Sequence, residues 1–415
     1  MDHQSSSSDD LKQVACQTAW AALAQDNPQA AAESLRKFAH LSSTDIEVAE
    51  VWATMLGWVN ELDHLERESR RLAQRWANQP KVVLSLATAI LKCWGRQSGL
   101  LGPAPRESVI GLGVDLIDLC LSETPPSKPE KRALLYVLRA RLLLCAGPLG
   151  DDRALSDYEI ATSLCPNDEE IWFLLARHHL LRGRWEKSIL AASEAHRKGF
   201  DVLKIAWMIA VSQTALAPHQ VTSSFSIDEC WQLAKNSAFI DEAKRDSKGR
   251  WVSAGIERQR VTIHSHMIRI GGGWELTEDW CSEVVLVQPL SPCHGRILHP
   301  SQNDLPSDFD DLIIWDPQPV DFIVLEGEQR PVLRGLAVLE KGAAVVRSFP
   351  QIRLSDVELN TLNQSLPEGV FFYQGPEEER NPQAHGKLCW PRTKMAQQVM
   401  TEVKRVWQSL NLPLL

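Results

Sequence analysis

Five side chains that could bind a metal ion lie close together in the C-terminal half of the sequence: His264, His266, Cys293, His294 and His299. The His-x-His pair falls on a predicted strand, which places both imidazoles on one face. The Cys-His-Gly loop could add a thiolate and further imidazoles, and Zn²⁺ binds such nitrogen and sulfur ligands. The spacing matches no zinc motif. We therefore expect histidines beside a β core and no cofactor, with zinc as the alternative.

The same stretch offers a cysteine nucleophile. Cys293 precedes a glycine in a loop, and its base could be His264, His266 or His385. A nucleophilic cysteine needs its thiolate stabilised by a neighbouring imidazolium. His294 is a poor partner, because adjacent side chains on an extended chain point apart. A cysteine-dependent hydrolase is therefore an alternative that the sequence does not favour.

A run of carboxylates occupies the middle of the C-terminal half: Asp304, Asp308, Asp310, Asp311, Asp316, Asp321, Glu326 and Glu328. With Glu340-Lys341, this run resembles in outline the magnesium nucleases, in which carboxylates hold the metal and a lysine steadies the attacking water. The acidic-x-Lys spacing of that class is absent, and no basic surface accompanies it. We therefore expect these side chains to be solvated loop carboxylates.

Composition limits the class of protein. The 415 residues carry a formal charge of −9, and no long basic run is present, so nucleic acid is not expected as a direct ligand. No apolar run is long enough to cross a bilayer, and the polar residues 1–9 predict a disordered tail rather than a signal peptide. The nine cysteines include no CxxC pair, which favours reduced thiols and a cytoplasmic protein.

The most informative pattern places large and small side chains at fixed spacing within residues 171–200: Trp172, Leu175, Ala176, Gly183, Trp185 and Ala195. The small residues allow two helices to approach closely, and the large ones fill the gap between them. This pattern resembles one tetratricopeptide (TPR) repeat. A looser copy precedes it, and its second helix is marked by Ala154, Tyr158, Ala161 and Pro166.

The TPR resemblance is clear over about 130–200 and extends less closely over 10–95. It implies stacked helical hairpins with a concave face that binds a partner protein or peptide. Side chains on the first helix of a pair would make those contacts, and we expect Arg177, His178 and Arg182 to be among them. His179 takes the place where the family packs an aromatic residue. The alternative is an irregular all-helical domain that matches a TPR in one place.

Residues 10–256 are predicted as the helical domain, with a sub-boundary in the Pro-rich linker 122–131. Asn27-Pro28 separates the first pair of helices. Two closing helices are predicted over 228–239 and 242–256. The second is rich in charge, as suits a polar helix that caps the end of an array.

From residue 257 the pattern changes to short β-type runs: 261–270, 283–290, 312–316, 321–326, 331–339, 343–349 and 369–374. The runs 331–339 and 343–349 flank a Glu-Lys-Gly turn and predict a hairpin. Helices are predicted over 355–366, with the capping box Ser355 and Glu358, and over 394–410. We expect an α/β domain with a mainly antiparallel sheet over 257–415, and an α+β protein overall.

These patterns favour a scaffold or adaptor whose helical array holds a partner, as part of a larger complex, with the C-terminal domain as a second interface. The alternative is a metal- or cysteine-dependent hydrolase in 257–415 that the array targets. The sequence leans against an enzyme, because it carries no complete catalytic motif.

Overall fold

The computed structural model describes residues 8–58, 62–97, 107–145, 150–218, 243–245, 251–253, 259–264, 268–269, 282–291, 293–301, 305, 307–325, 328–349, 352, 354–374 and 386–412. The chain divides into two compact units, Met1–Leu175 and Ala176–Leu415. The division falls inside a helix, and the domain boundaries that the sequence predicts stay predictions.

The first unit is helical, with short 3₁₀ turns at Ala39–Ser43 and Leu56–Trp58. Its helices are α1 (Ser8–Ala24), α2 (Pro28–Leu35), α3 (Ile46–Met55), α4 (Leu62–Trp76), α5 (Pro80–Gln97), α6 (Glu107–Glu123), α7 (Pro129–Cys145), α8 (Asp151–Leu164) and the start of α9 (Glu169–Leu181). No helix among the described residues is long and apolar enough to cross a membrane.

Polar side chains fix where several helices begin. Asn27 accepts a hydrogen bond from the Ala30 amide at 3.1 Å and starts α2, with a proline in the first turn. The Asp45 carboxylate accepts from two amides at the start of α3, and Asp168 does the same for α9. Such caps satisfy amides that the helix itself leaves free. The predicted break at Asn27-Pro28 is confirmed.

Small residues allow α7 and α8 to pack closely as a hairpin. Ala140, Ala154 and Ala161 are fully buried, and Tyr158 is buried beside them. The second unit continues with the rest of α9, α10 (Trp185–Arg197) and α11 (Val202–Leu216). There, the Ser188 hydroxyl donates to the carbonyl of Ala176 at 3.0 Å. These hairpins follow the predicted spacing of small and large residues.

The predicted capping helix over 242–256 is wrong. Strands β1 (Ala243–Arg245) and β2 (Trp251–Ser253) pair antiparallel there. The intervening Asp-Ser-Lys-Gly sequence is rich in turn-forming residues, and Trp251 and Val252 favour strand over helix. The helix predicted over 228–239 lies outside the described residues.

The larger sheet of the second unit curls into a barrel. Its strands are β3 (Gln259–His264), β4 (Ile268–Arg269), β5 (Ser282–Ser291), β6 (His294–Ile297), β7 (Leu312–Leu325) and β8 (Glu328–Glu340). They lie in the order β3-β5-β6-β7-β8-β4, and neighbours from β3 to β8 are antiparallel. A parallel pairing of Val261 with Leu333 joins β3 to β8 and closes the barrel.

Apolar side chains fill one face of this sheet: Val261, Val285, Val287, Ile297, Ile313, Trp315, Leu333 and Val338. The strand predicted over 261–270 is present as β3 and β4. The separate runs 312–316 and 321–326 belong to one long strand, β7.

The predicted hairpin over 331–349 is also wrong. β8 pairs with β7, whereas β9 (Ala344–Phe349) pairs with β11 (Gly386–Pro391) in another sheet. The connecting turn is held by the loop before β7: Asp311 accepts from the Gly342 amide at 2.8 Å, and Asp310 accepts from the Ala343 amide at 2.8 Å. This distant loop directs the chain out of the barrel.

The second sheet has the order β10-β11-β9, where β10 is Phe371–Tyr373. Helices α12 (Asp356–Ser365) and α13 (Ala396–Ser409) share its apolar core, which includes Leu362, Phe372, Leu388, Trp390, Val403 and Trp407. The capping box of Ser355 and Glu358 is confirmed at the start of α12. The chain is therefore α+β, as predicted.

We expect Gly295→Ala to lower the free energy of unfolding by about 1–3 kcal/mol, because overpacking strains a closely packed site. A Cβ at this position would clash with the carbonyl oxygen of Gln288 and lie 2.9 Å from the Cα of Pro289. Gly111→Ala in α6 is the matched control, since nothing lies within 4 Å of its added Cβ; it should gain up to about 1 kcal/mol. Urea unfolding of both variants checks the barrel, and equal stabilities would contradict it.

Candidate partner-binding site

The three residues predicted to contact a partner lie in the last turns of α9 or just after it, and they differ in solvent exposure. Arg177 is exposed. His178 and Arg182 are buried, with 2% and 8% of their surfaces exposed. Consecutive residues on a helix point about 100° apart, so Arg177 and His178 face different surroundings. Only Arg177 presents its side chain directly to solvent.

The two adjacent histidines are held neutral. Burial, followed by the charge of Arg182, lowers the pKa of His178 to about 3. Burial and the charge of Arg184 lower the pKa of His179 to about 4. Their rings meet edge to face with centroids 6.0 Å apart. Neutral imidazoles in this position fill space inside the helical packing, as predicted for His179.

A charged residue that sequence reasoning missed lies on strand β8 of the barrel. Arg334 of β8 is half-buried and pairs in register with Asp316 of β7, which is 2% exposed. The charges of Arg182 and Arg177 both act on it. Burial, then these like charges, lower the pKa of Arg334 to about 10, although Asp316 opposes the shift. The available signal was a charged residue within the otherwise apolar run 331–339.

The candidate nucleophile is enclosed. Helix α11 packs against β7, and the side chain of Thr214 hydrogen-bonds to the Cys293 thiol. The Ser291 hydroxyl lies 3.6 Å from the same sulfur. Cys293 is fully buried, and burial raises its pKa to about 12. A neutral thiol without solvent access is a packing residue in this conformation rather than a nucleophile.

The candidate metal ligands form internal hydrogen bonds. His294 Nδ1 lies 2.5 Å from the Ser291 hydroxyl. His299 Nε2 accepts from the Leu286 amide at 3.1 Å, and its Nδ1 lies 3.2 Å from the Tyr373 hydroxyl. Within the described ranges, no group of three or more His, Cys, Asp or Glu side chains could hold a metal ion. The side chain of His264, and all of His266 and His385, lie outside the described residues.

The expectation of solvated loop carboxylates is wrong for Asp311 and Asp316, which are 4% and 2% exposed. Asp308 accepts from the Ser301 amide at 2.9 Å and pairs with the buried Lys387 ammonium at 3.0 Å. Asp311 is 4% exposed and pairs with Lys341 at 2.8 Å. Burial is tolerated because each carboxylate accepts amide and ammonium hydrogen bonds. These residues anchor the loop before β7 to the second sheet.

Comparisons with known proteins return similar solved structures that cover about half of the chain. No family model and no curated protein matches the chain. A thermophilic TPR protein of Thermus thermophilus is similar in structure, with 16% identity over 49% of this chain and 98% of its own, at a TM-score of 0.38. MamA of MSR-1 has 17% identity over 45% of this chain and 94% of its own, at 0.32. MamA of AMB-1 has 16% identity over 45% and 98%, at 0.31.

The N-terminal half of the chain is a TPR-like helical region. Its hairpins are closely packed, as in the pairs α7–α8 and α10–α11. Of the three residues predicted to contact a partner there, Arg177 on α9 is the exposed one.

Proposed function

We propose that the protein is a scaffold or adaptor whose TPR-like array holds a segment of a partner protein. The observation that carries the proposal is the packing of successive helices as pairs, such as α7 with α8, where Ala140, Ala154 and Ala161 are fully buried. Arrays of this kind offer an extended surface to a ligand. Leu134 on α7 is 46% exposed and is the apolar side chain that we assign to that surface.

The C-terminal domain makes a second interface, so the chain belongs to a larger complex. This part of the proposal is preferred to a catalytic role because the candidate catalytic and acidic side chains are engaged in contacts inside the domain. Among the described residues, Cys293, His294, Asp308 and Asp311 all serve internal packing or hydrogen bonding. Its ligand is a protein rather than nucleic acid, in keeping with the formal charge of −9.

A cytoplasmic location completes the proposal. The cysteines with described side chains are free thiols: Cys16, Cys120, Cys145, Cys165, Cys293 and Cys389. Unpaired cysteines are the usual state in a reducing compartment. Fluorescence localisation of the full chain in its native cell tests this, and export would contradict it.

We expect Leu134→Asp to reduce recovery of the partner by about tenfold, the scale for losing an interface hot spot. The experiment is affinity purification of the tagged full chain from its native host, followed by mass spectrometry. Leu190→Asp on α10 is the control, because Leu190 is 68% exposed on the second helix of its pair. Equal recovery with both variants, or no partner with the wild type, would overturn the proposal.

A further inference from the structure

We propose that the outer edge of strand β9 binds an extended segment of a partner protein, which adds to the three-stranded sheet as a further strand. The segment is apolar on one face and carries a carboxylate in its middle. The inference rests on the proposed second interface of the C-terminal domain, and it gives that interface a place and a chemistry.

Alternate residues of β9 direct their backbone groups away from β11. The Arg392 amide donates to the carbonyl of Ala343 at 2.8 Å, which continues the antiparallel register of the two strands. In such a pair, residues that bond to the neighbouring strand alternate with residues that do not. Val345 and Arg347 therefore face β11, whereas the amide and carbonyl of Val346 point to the outer edge.

The opposite edge of the same sheet is closed by a side chain. In β10, the Phe372 amide donates to Asn363 Oδ1 at 2.6 Å, and Asn363 Nδ2 donates to the Phe372 carbonyl at 2.8 Å. Asn363 of α12 thus takes the place of a neighbouring strand. Among the described residues, β9 has one neighbouring strand, β11, and no side-chain cap of this kind at Val346. An uncapped edge strand can pair with a strand from another chain.

Solvent reaches β9 along its whole length. Every residue from 344 to 349 is at least partly exposed, whereas all residues of β11 except Pro391 are buried. Val346 is half-buried, although the residue directly across from it, Cys389, is fully buried. The edge of β9 is therefore accessible to a ligand from solvent.

Side chains on one face of β9 define the sequence that fits. Val345 and Phe349 pack, partly buried, against the apolar core that α12 and α13 share. Arg347 is exposed between them, with its guanidinium 5.6 Å from the centre of the Phe349 ring. Side chains directly opposite each other on antiparallel strands interact, and opposite charges stabilise the pair. An added strand would place apolar residues beside Val345 and Phe349 and a carboxylate beside Arg347.

The test uses the full chain and a fluorescein-labelled heptapeptide, Thr-Val-Thr-Glu-Thr-Val-Thr, measured by fluorescence anisotropy. We expect the peptide to bind, and Val346→Pro to weaken it by about tenfold, because proline removes the outward amide and with it one hydrogen bond. Proline is tolerated at an edge position whose amide faces solvent. Val346→Thr is the matched control: it changes the same side chain but keeps the amide, so its affinity should match that of the wild type.

Charge reversal tests the side-chain chemistry separately. Replacing the central Glu of the peptide with Lys should weaken binding to the wild type by about fivefold, because like charges directly opposite each other destabilise paired strands. Arg347→Glu should reverse the preference, so that the Lys peptide binds more tightly than the Glu peptide. Because Arg347 is exposed, this variant decides the outcome if Val346→Pro does not fold.

Three results would overturn the edge site: no binding of the Glu peptide, equal affinities of Val346→Pro and Val346→Thr, or an unchanged peptide preference in Arg347→Glu. A dimer of the free chain that Val346→Pro dissociates would assign the edge to a second copy of this chain instead. Failure of the scaffold function is distinct, because it is measured by recovery of the native partner with the wild type and Leu134→Asp.

Discussion

Arg139→Ala is expected to lower the free energy of unfolding by about 3–5 kcal/mol, the cost of leaving a partner charge buried and unpaired. The Arg139 guanidinium lies on α7 and joins three helices. It donates to Asp157 of α8 at 2.8 and 2.6 Å and to Asp118 of α6 at 2.5 Å. The Asp157 side chain is 2% exposed, so water cannot replace the lost guanidinium donors.

The pKa of Arg139 supports this expectation. Burial alone would lower it, but hydrogen bonds and charges from Asp157 and Asp118 raise it above its usual range. The arginine is therefore charged throughout the accessible pH range, and the network is a fixed ion pair.

Two further variants separate charge from packing. Arg153→Ala removes a second, 45% exposed partner of Asp118 and should cost less than about 1 kcal/mol, as for exposed pairs. The double variant Arg139→Met/Asp157→Leu should recover much of the loss, because no charge remains buried. Urea unfolding measures all three. A cost for Arg139→Ala no larger than that of Arg153→Ala would contradict the network.

Acidification from pH 7 to pH 5 is expected to remove about 4 kcal/mol of stability through the two buried histidines, or about 2 kcal/mol each. In the unfolded chain an imidazole takes up a proton near pH 6.5. In the folded chain the pKa is about 3 for His178 and about 4 for His179, so both imidazoles take up a proton only at much lower pH. Between these limits the unfolded state binds more protons, so stability falls as the pH falls.

The charged groups that act on these rings all oppose protonation. Arg182 and Arg184 act on His178, and Arg184 and Lys187 act on His179. Burial remains the larger cause for both. The stability that the two neutral histidines contribute is complete above about pH 6.5 and declines steadily below it.

His179→Phe should flatten this pH dependence by about half, because an aromatic ring fills the same space without binding a proton. His196→Gln is the control, because it removes an imidazole that is exposed at the end of α10. Thermal unfolding between about pH 7.5 and pH 5 gives the comparison, since the unfolded imidazole titrates in this range. An unchanged slope in His179→Phe would show that its imidazole is accessible to protons.

The helical part of the fold is predictable because its signals are local. Ala154, Tyr158 and Ala161 recur at helical spacing, and all three are buried where α8 meets α7. Asn27 and Ser355 begin helices through hydrogen bonds to amides three residues ahead. Such contacts involve neighbours in sequence, so residue type and spacing are enough to identify them.

The sheets are less predictable because their pairing depends on distant residues. Apolar runs on both sides of Gly342 indicate a hairpin, but Asp311, more than thirty residues earlier, accepts that glycine's amide. The candidate site fails to be predicted for the same reason. His178 and Arg182 are expected at a partner surface, but the fold buries both side chains.

The most direct test of the scaffold function is hydroxyl-radical footprinting of the full chain, alone and in the complex purified from its native host. Both Leu134 and Leu190 are exposed in the free chain and should be labelled there. We predict that the partner lowers labelling of Leu134 several-fold and leaves Leu190 unchanged, because the first helices of the pairs hold the ligand. Protection of Leu190 alone, or of neither leucine in an intact complex, would contradict that account.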